Sequence, residues 1–198
     1  MENPAQSMKI VPLLILVLAL AACTAGRNFE APTSETAKLG QTTLTQFISL
    51  YGKPEREGSK VVNGEQIKDV VYVFVATRGP VLFGAKVDGR SLAASFWQEK
   101  LVGYQFVSSF SSDSTAFNEA RVNEIERGEW TSDDAIKAFG KPHGEMIYPL
   151  VEENGGRQLQ YIFMGSMGLY NKPTQKVLSI EVDPKGIVSN FSLSTLGS

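Results

Sequence analysis

The stretch "TLTQFISLYGKP", residues 43–54, is matched without a gap by "TSDDAIKAFGKP", residues 131–142. Gly52 and Gly140 mark a constant offset of 88 residues, so the chain carries one local plan twice. Thr43 and Thr131 are candidate N-caps, whose hydroxyls can accept a bond from an otherwise unpaired helical N–H. Three residues on, Gln46 fits a capping box and Asp134 also complements the helix dipole. Leu44, Phe47, Ile48 and Tyr51 recur at helical spacing, as do Ala135, Ile136 and Phe139. Gly52 and Gly140 predict a left-handed stop, and a proline two residues later prevents resumption. Helices this short are marginal alone and need a sheet to pack against.

Both repeats supply strand patterns. "KVVNGEQIKDVVYVFVA" follows the first helix and "MIYPLVEENGGRQLQYIFMG" the second, each centred on an Asn-Gly hairpin signal. "SLAASFWQEKLVGYQFVSS" and "KVLSIEVDPKGIVSNFSLS" come next, each reading as two strands about a tight turn. Alternation is plain in Leu178, Ile180 and Val182 and in Val102, Tyr104 and Phe106. The expected fold class is α+β: tandem helix-plus-antiparallel-strand repeats forming one twisted sheet with the helices on one face. The expected boundaries are 39–110 for the first repeat, 111–127 for a connector and 128–198 for the second repeat. A sheet covered on one side leaves the other free for binding.

The pattern "ERGEWTSDDAIKAFGKP", then "LQYIF", then "LSIEVDPKGIVSNF" resembles the SmpA/OmlA (BamE-type) group of bacterial lipoproteins. Tandem copies look like the fold of the β-lactamase inhibitory protein. The resemblance covers roughly residues 35 to 196, twice over, and its motifs specify fold better than activity. It implies an envelope lipoprotein that contacts other envelope proteins.

The N-terminus agrees with that expectation. Ile10 to Ala22 is apolar but too short to span a bilayer, which takes about 20 residues. With Lys9 before it and small residues at its end, it reads as a secretory signal over residues 1–22; Met8 would make a more typical start than Met1. Leu20-Ala21-Ala22-Cys23 resembles the lipobox of bacterial lipoproteins, in which cleavage falls between Ala22 and Cys23 and the thiol is acylated. The alternative is an ordinary signal peptide with a leftover thiol. Cys23 is the sole cysteine, so no internal disulfide is available. Residues 23–38 read as a flexible tether. Thr24 follows the cysteine, where an aspartate would resemble an inner-membrane retention signal, so the expected location is the periplasmic side of the outer membrane.

Charge excludes one class of partner. Loss of Glu2 and Lys9 with the first 22 residues leaves the net charge at −2, with no electrostatic footprint for nucleic acid. Chemistry is also thin. His143 is the sole histidine, and with Cys23 committed to lipid it has no partner set for a triad or a zinc site. It reads as a solvated turn histidine. Asp133-Asp134 and Glu152-Glu153 are adjacent carboxylates, but one pair opens a helix and the other flanks a turn. "GRNFEAP" and "GSMG" lack the lysine and context of a phosphate loop. The chain is therefore read as no enzyme, with no cofactor or metal beyond covalent lipid on Cys23.

Two loops are oddly apolar: "TRGPVLFGAK" with Val81, Leu82 and Phe83, and "GSMGLYNKP" with Met167, Leu169 and Tyr170, each beside a lysine, Lys86 or Lys172. They are candidate interface residues toward a partner or a bilayer. The competing reading makes them strand starts or a fold-back over the sheet edge. The expected function is a membrane-anchored, noncatalytic protein-binding module serving β-barrel assembly or envelope integrity. The alternative is an inhibitor of an exported hydrolase through the free sheet face.

Overall fold

The computed structural model describes residues 24–78, 86–113, 115–165 and 174–197. Both predicted helices form, α1 at Leu44–Tyr51 and α2 at Ser132–Phe139, each entered through a reciprocal capping box. The Thr43 hydroxyl accepts from the Gln46 N–H and the Gln46 side chain accepts from the Thr43 N–H; Thr131 and Asp134 do the same. Bonds from the Thr131 hydroxyl and N–H hold the Asp134 carboxyl below its ordinary range. Gly52 and Gly140 end the helices with nearly identical backbones, φ 86°, ψ −166° and φ 83°, ψ −167°. Positive φ is as expected. The ψ near 180° lies outside the left-handed helical region, in a region that is essentially glycine-only.

Nine strands among the described residues make one antiparallel sheet: β1 (Thr24–Ala25), β2 (Arg56–Val62), β3 (Glu65–Arg78), β4 (Lys86–Trp97), β5 (Lys100–Ser108), β6 (Gly144–Ile147), β7 (Arg157–Met164), β8 (Gln175–Val182) and β9 (Val188–Leu196). They lie in the order β1-β3-β4-β5-β6-β7-β8-β9, with β2 also on β3. The α+β expectation is corrected here: the described residues form a β-rich sheet carrying two eight-residue α-helices, not a balanced alternation. The reason is local. The Gly-x-Pro stops cap each helix at two turns, whereas the β-branched run in β3 sustains 14 residues of strand.

The repeat extends into tertiary contacts. The Leu44 N–H donates to the Glu99 carbonyl at 3.1 Å, and the Ser132 N–H to that of Gly186 at 3.0 Å. Leu101 returns a bond to Thr42, as Val188 does to Trp130. Each helix start is thus stitched to the last hairpin of its own repeat. The last strands also share a bulge: the register leaves Val102 unpaired in β5 and Ser189 in β9. Such insertions increase local twist.

Both helices pack on one face. A rung of directly paired residues, Val70, Ala94, Tyr104, Glu145, Leu159, Ile180 and Phe191, crosses from β3 to β9 on that face. Phe47 of α1 is fully buried against Tyr72 and Phe96, and Phe139 of α2 packs on Tyr161 at 5.4 Å. Burying such a ring contributes about 2–3 kcal/mol.

The segment expected as a flexible tether, 23–38, is instead docked over its described part. Thr24 and Ala25 pair with Ala76 and Val75, and Phe29 and Ala37 enter the first core. Its small, polar composition suggested a linker, but one aromatic side chain lies within reach of a core.

Candidate binding face

Opposite the helices, the next rung reads Arg56, Val71, Ala93, Gln105, Gly144, Gln160, Ser179 and Ser192, one residue from each of eight strands. Alternation along each strand sends one set of residues to the helices and the other set to this face, where from Ala93 to Ser192 the rung is small or amide. The Gln105 amide donates to Gln160, whose own amide donates to Gln158 at 2.9 Å. The flanking rung toward the ends of β3 and β7 places Val73, Ser91 and Val107 on one repeat and Ile162, Val177 and Ser194 on the other. Among the described residues, no helix covers this face.

Its lower part is closed by a loop. The Asn154–Gly155 signal does mark a turn, with Gly155 at φ 88° and the Gly156 N–H donating to the Glu153 carbonyl, but it lies inside a nine-residue connection, 148–156, instead of a two-residue hairpin. Part of this loop folds over the sheet: a Cβ on Gly103 would stand 2.4 Å from the Leu150 Cδ1. Asn63 at the tip of β2–β3 clamps it, donating from Nδ2 to the carbonyls of Pro149 and Val151, each at 3.1 Å. Asn63 and Gly64 form a two-residue turn with φ of 50° and 78°, matching the hairpin signal in this repeat. Trp97 and Tyr148, at the start of the same loop, meet edge-to-face at 5.7 Å. Toward the centre Gly144, Gln160 and Ile162 are buried, so the accessible part of this face lies at Arg56, Val71, Ala93 and Gln105 on one side and Ser179 and Ser192 on the other.

His143 is not a solvated turn residue. It extends β6, donates its backbone N–H to the Gln160 carbonyl, and accepts the Ile162 N–H on Nδ1 at 2.8 Å. Half-burial beside Tyr161 holds the imidazole below its ordinary pKa, so it stays neutral. Asp133 and Asp134 occupy the first turn of α2, and Glu152 and Glu153 are exposed on the covering loop. Among the described residues, no group of three or more His, Cys, Asp or Glu is placed to hold a metal ion.

Ala22, Cys23, Val81, Leu82, Phe83, Met167, Leu169, Tyr170 and Lys172 lie outside the described residues. The strands bracketing the two apolar loops, β3/β4 and β7/β8, meet them at the same end of the sheet. The open face was legible only as "the side without helices"; its clamp joins residues 86 and 88 positions apart, and no local signal announces it.

No family model matches this sequence, and no curated protein matches it. The SmpA/OmlA resemblance therefore rests on its motifs alone. Among solved structures, a Streptococcus mutans protein assigned as a β-lactamase inhibitor protein is similar at 12% identity, over 77% of this chain and 82% of its own, with a TM-score of 0.46.

Proposed function

We propose that this chain is a noncatalytic protein-binding module of the cell envelope, held on the periplasmic side of the outer membrane by acyl chains on Cys23. The open sheet face takes the partner. The observation that carries this reading is the rung opposite the helices, small or amide from Ala93 of β4 to Ser192 of β9, with Ala93, Gln105, Ser179 and Ser192 accessible. Seven strand spacings of ~4.8 Å and two rungs of ~7 Å give a face of roughly 400–500 Å². That is a little over half of the ~800 Å² each partner buries in a stable protein complex.

Affinity purification from detergent-solubilised envelopes tests the proposal. Ala93→Arg should abolish partner recovery at unchanged melting temperature, because the arginine projects from the middle of the face. Leu50→Arg, at an α1 residue 49% exposed on the helical side, should leave recovery intact. The opposite pattern would move the binding surface to the helices and defeat the reading. The partner's identity separates the two versions: barrel-assembly components for an accessory, a soluble enzyme for an inhibitor. Cys23→Ser should release the protein from membranes; retention with normal processing would remove the anchor from the proposal.

A further inference from the structure

Thr24, the residue after the lipobox cysteine, already belongs to the sheet. Thr24 pairs with Ala76 and Ala25 with Val75. Phe29 packs edge-on against Tyr51, Tyr72 and Phe106 at 6.3–6.4 Å. Arg90 donates from Nη1 to the Asn28 Oδ1 at 2.6 Å and to the Phe29 carbonyl at 3.0 Å. Farther along, Lys141 of the second repeat donates to the Pro32 carbonyl at 2.8 Å. Both repeats thus grip the segment. Adjacent Cα atoms are 3.8 Å apart, so a lipid on Cys23 would have almost no slack between bilayer and body.

The direction of β1 then selects an end of the molecule. Because β1 runs antiparallel to β3, Thr24 lies where β3 finishes. The register carries that level across the sheet: β4 and β8 start there, and β7 and β9 finish there, at Lys86, Gln175, Met164 and Leu196. Leu196 is 61% exposed, and β9 carries no charged residue along its length. The tips at Asn63–Gly64, Gln98–Glu99 and Asp183–Gly186 form the other end.

Resting on the lipoprotein reading, we infer that the docked segment holds this end of the sheet, marked by Thr24 and Leu196, against a lipid bilayer. β3 and its immediate neighbours then stand up from the membrane. At ~3.3 Å per residue, the 14-residue β3 places its far tip roughly 45 Å from the lipid.

The test uses the full acylated chain, produced in a bacterial host and reconstituted in phosphatidylethanolamine/phosphatidylglycerol vesicles containing a nickel-chelating lipid. With Cys23 acylated, an introduced cysteine is the one free thiol for a fluorescent or spin label. A label on Thr195→Cys should be quenched several-fold more strongly by headgroup nickel than one on Lys185→Cys, at the opposite end of β9. Equal quenching in acylated protein would overturn the proposal while leaving the anchor standing. Unmodified Cys23 by mass, with no vesicle association, would defeat the anchor reading and this proposal with it. A ten-residue Gly/Ser insertion between Cys23 and Thr24 leaves every described contact intact and should erase the difference. A difference that survives the insertion would overturn the short tether as its cause.

Discussion

The guanidinium of Arg90 holds the carboxylate of Asp113 through two bonds of 2.7 Å, Nε to Oδ2 and Nη2 to Oδ1. The side chains are 12% and 14% exposed, so the pair is largely withdrawn from water. Nη1 reaches back to the N-terminal segment, and the guanidinium lies 4.7 Å over the Phe110 ring. One side chain therefore joins the N-terminal segment, β4 and the connector between repeats.

Replacing Arg90 by Met should cost about 3 kcal/mol, because it strands a buried carboxylate. Residues 24–32 should become susceptible to limited proteolysis at the same time. Burial acts to raise the Asp113 pKa, but hydrogen bonds from Arg90 and Ser108 outweigh it and the carboxyl sits below its ordinary value. Its contribution is therefore complete above about pH 4, the ordinary aspartate value, and lost as pH falls through the lower folded value. Urea unfolding of wild type and Arg90→Met between pH 7 and 3 checks this: the gap between them should narrow at the acid end.

Gly52→Ala and Gly140→Ala should each destabilise by about 1–3 kcal/mol, since both residues hold a backbone that side chains resist. An added Cβ at position 52 meets only the flexible end of Arg27, and at position 140 it meets nothing within 4 Å. The two losses should accordingly agree to within about 1 kcal/mol. Thermal unfolding of both variants measures it, and a loss at one site only would break the equivalence of the repeats.

His143 supplies a pH dependence in a different window. Burial depresses its folded pKa, so below about pH 6.5 the unfolded chain takes up a proton that the folded chain refuses. Stability should be full above that value and decline toward pH 5. His143→Gln, whose side-chain oxygen can still accept the Ile162 N–H, should flatten the decline when unfolding is compared at pH 7.5 and 5.5.

Tyr72 and Tyr161 occupy corresponding places in the two cores, and among the described residues neither hydroxyl has a hydrogen-bond partner. Burial, with the charges of Glu55 and Glu57, pushes Tyr72 up to about 12, and burial raises Tyr161 as well. Tyr72→Phe and Tyr161→Phe should be neutral or stabilising by up to about 1 kcal/mol, because each removes a desolvated hydroxyl and keeps the ring. Tyr104→Phe should instead be destabilising by about 1–2 kcal/mol, since its hydroxyl donates to the Glu145 carboxylate at 3.2 Å. Melting temperatures of the three variants separate these outcomes.

The sequence by itself determined the helix ends and the first hairpin, because each is closed within a few residues. Thr43 needs only Gln46, Thr131 only Asp134, and Asn63–Gly64 only its own two strands. Strand alternation likewise sorted large apolar residues from small ones before any pairing was known. Tertiary structure alone decided the rest. Tyr104 stands beside Glu145 because β5 meets β6, a junction no local pattern encodes. The loop at 148–156 is held over the sheet by Asn63, far away in the chain, so the Asn154–Gly155 turn sits inside a longer loop instead of joining β6 to β7 directly. Phe29 turned a polar, linker-like segment into part of a core, because burying a single ring outweighs ordering a few small residues only where a core lies within reach.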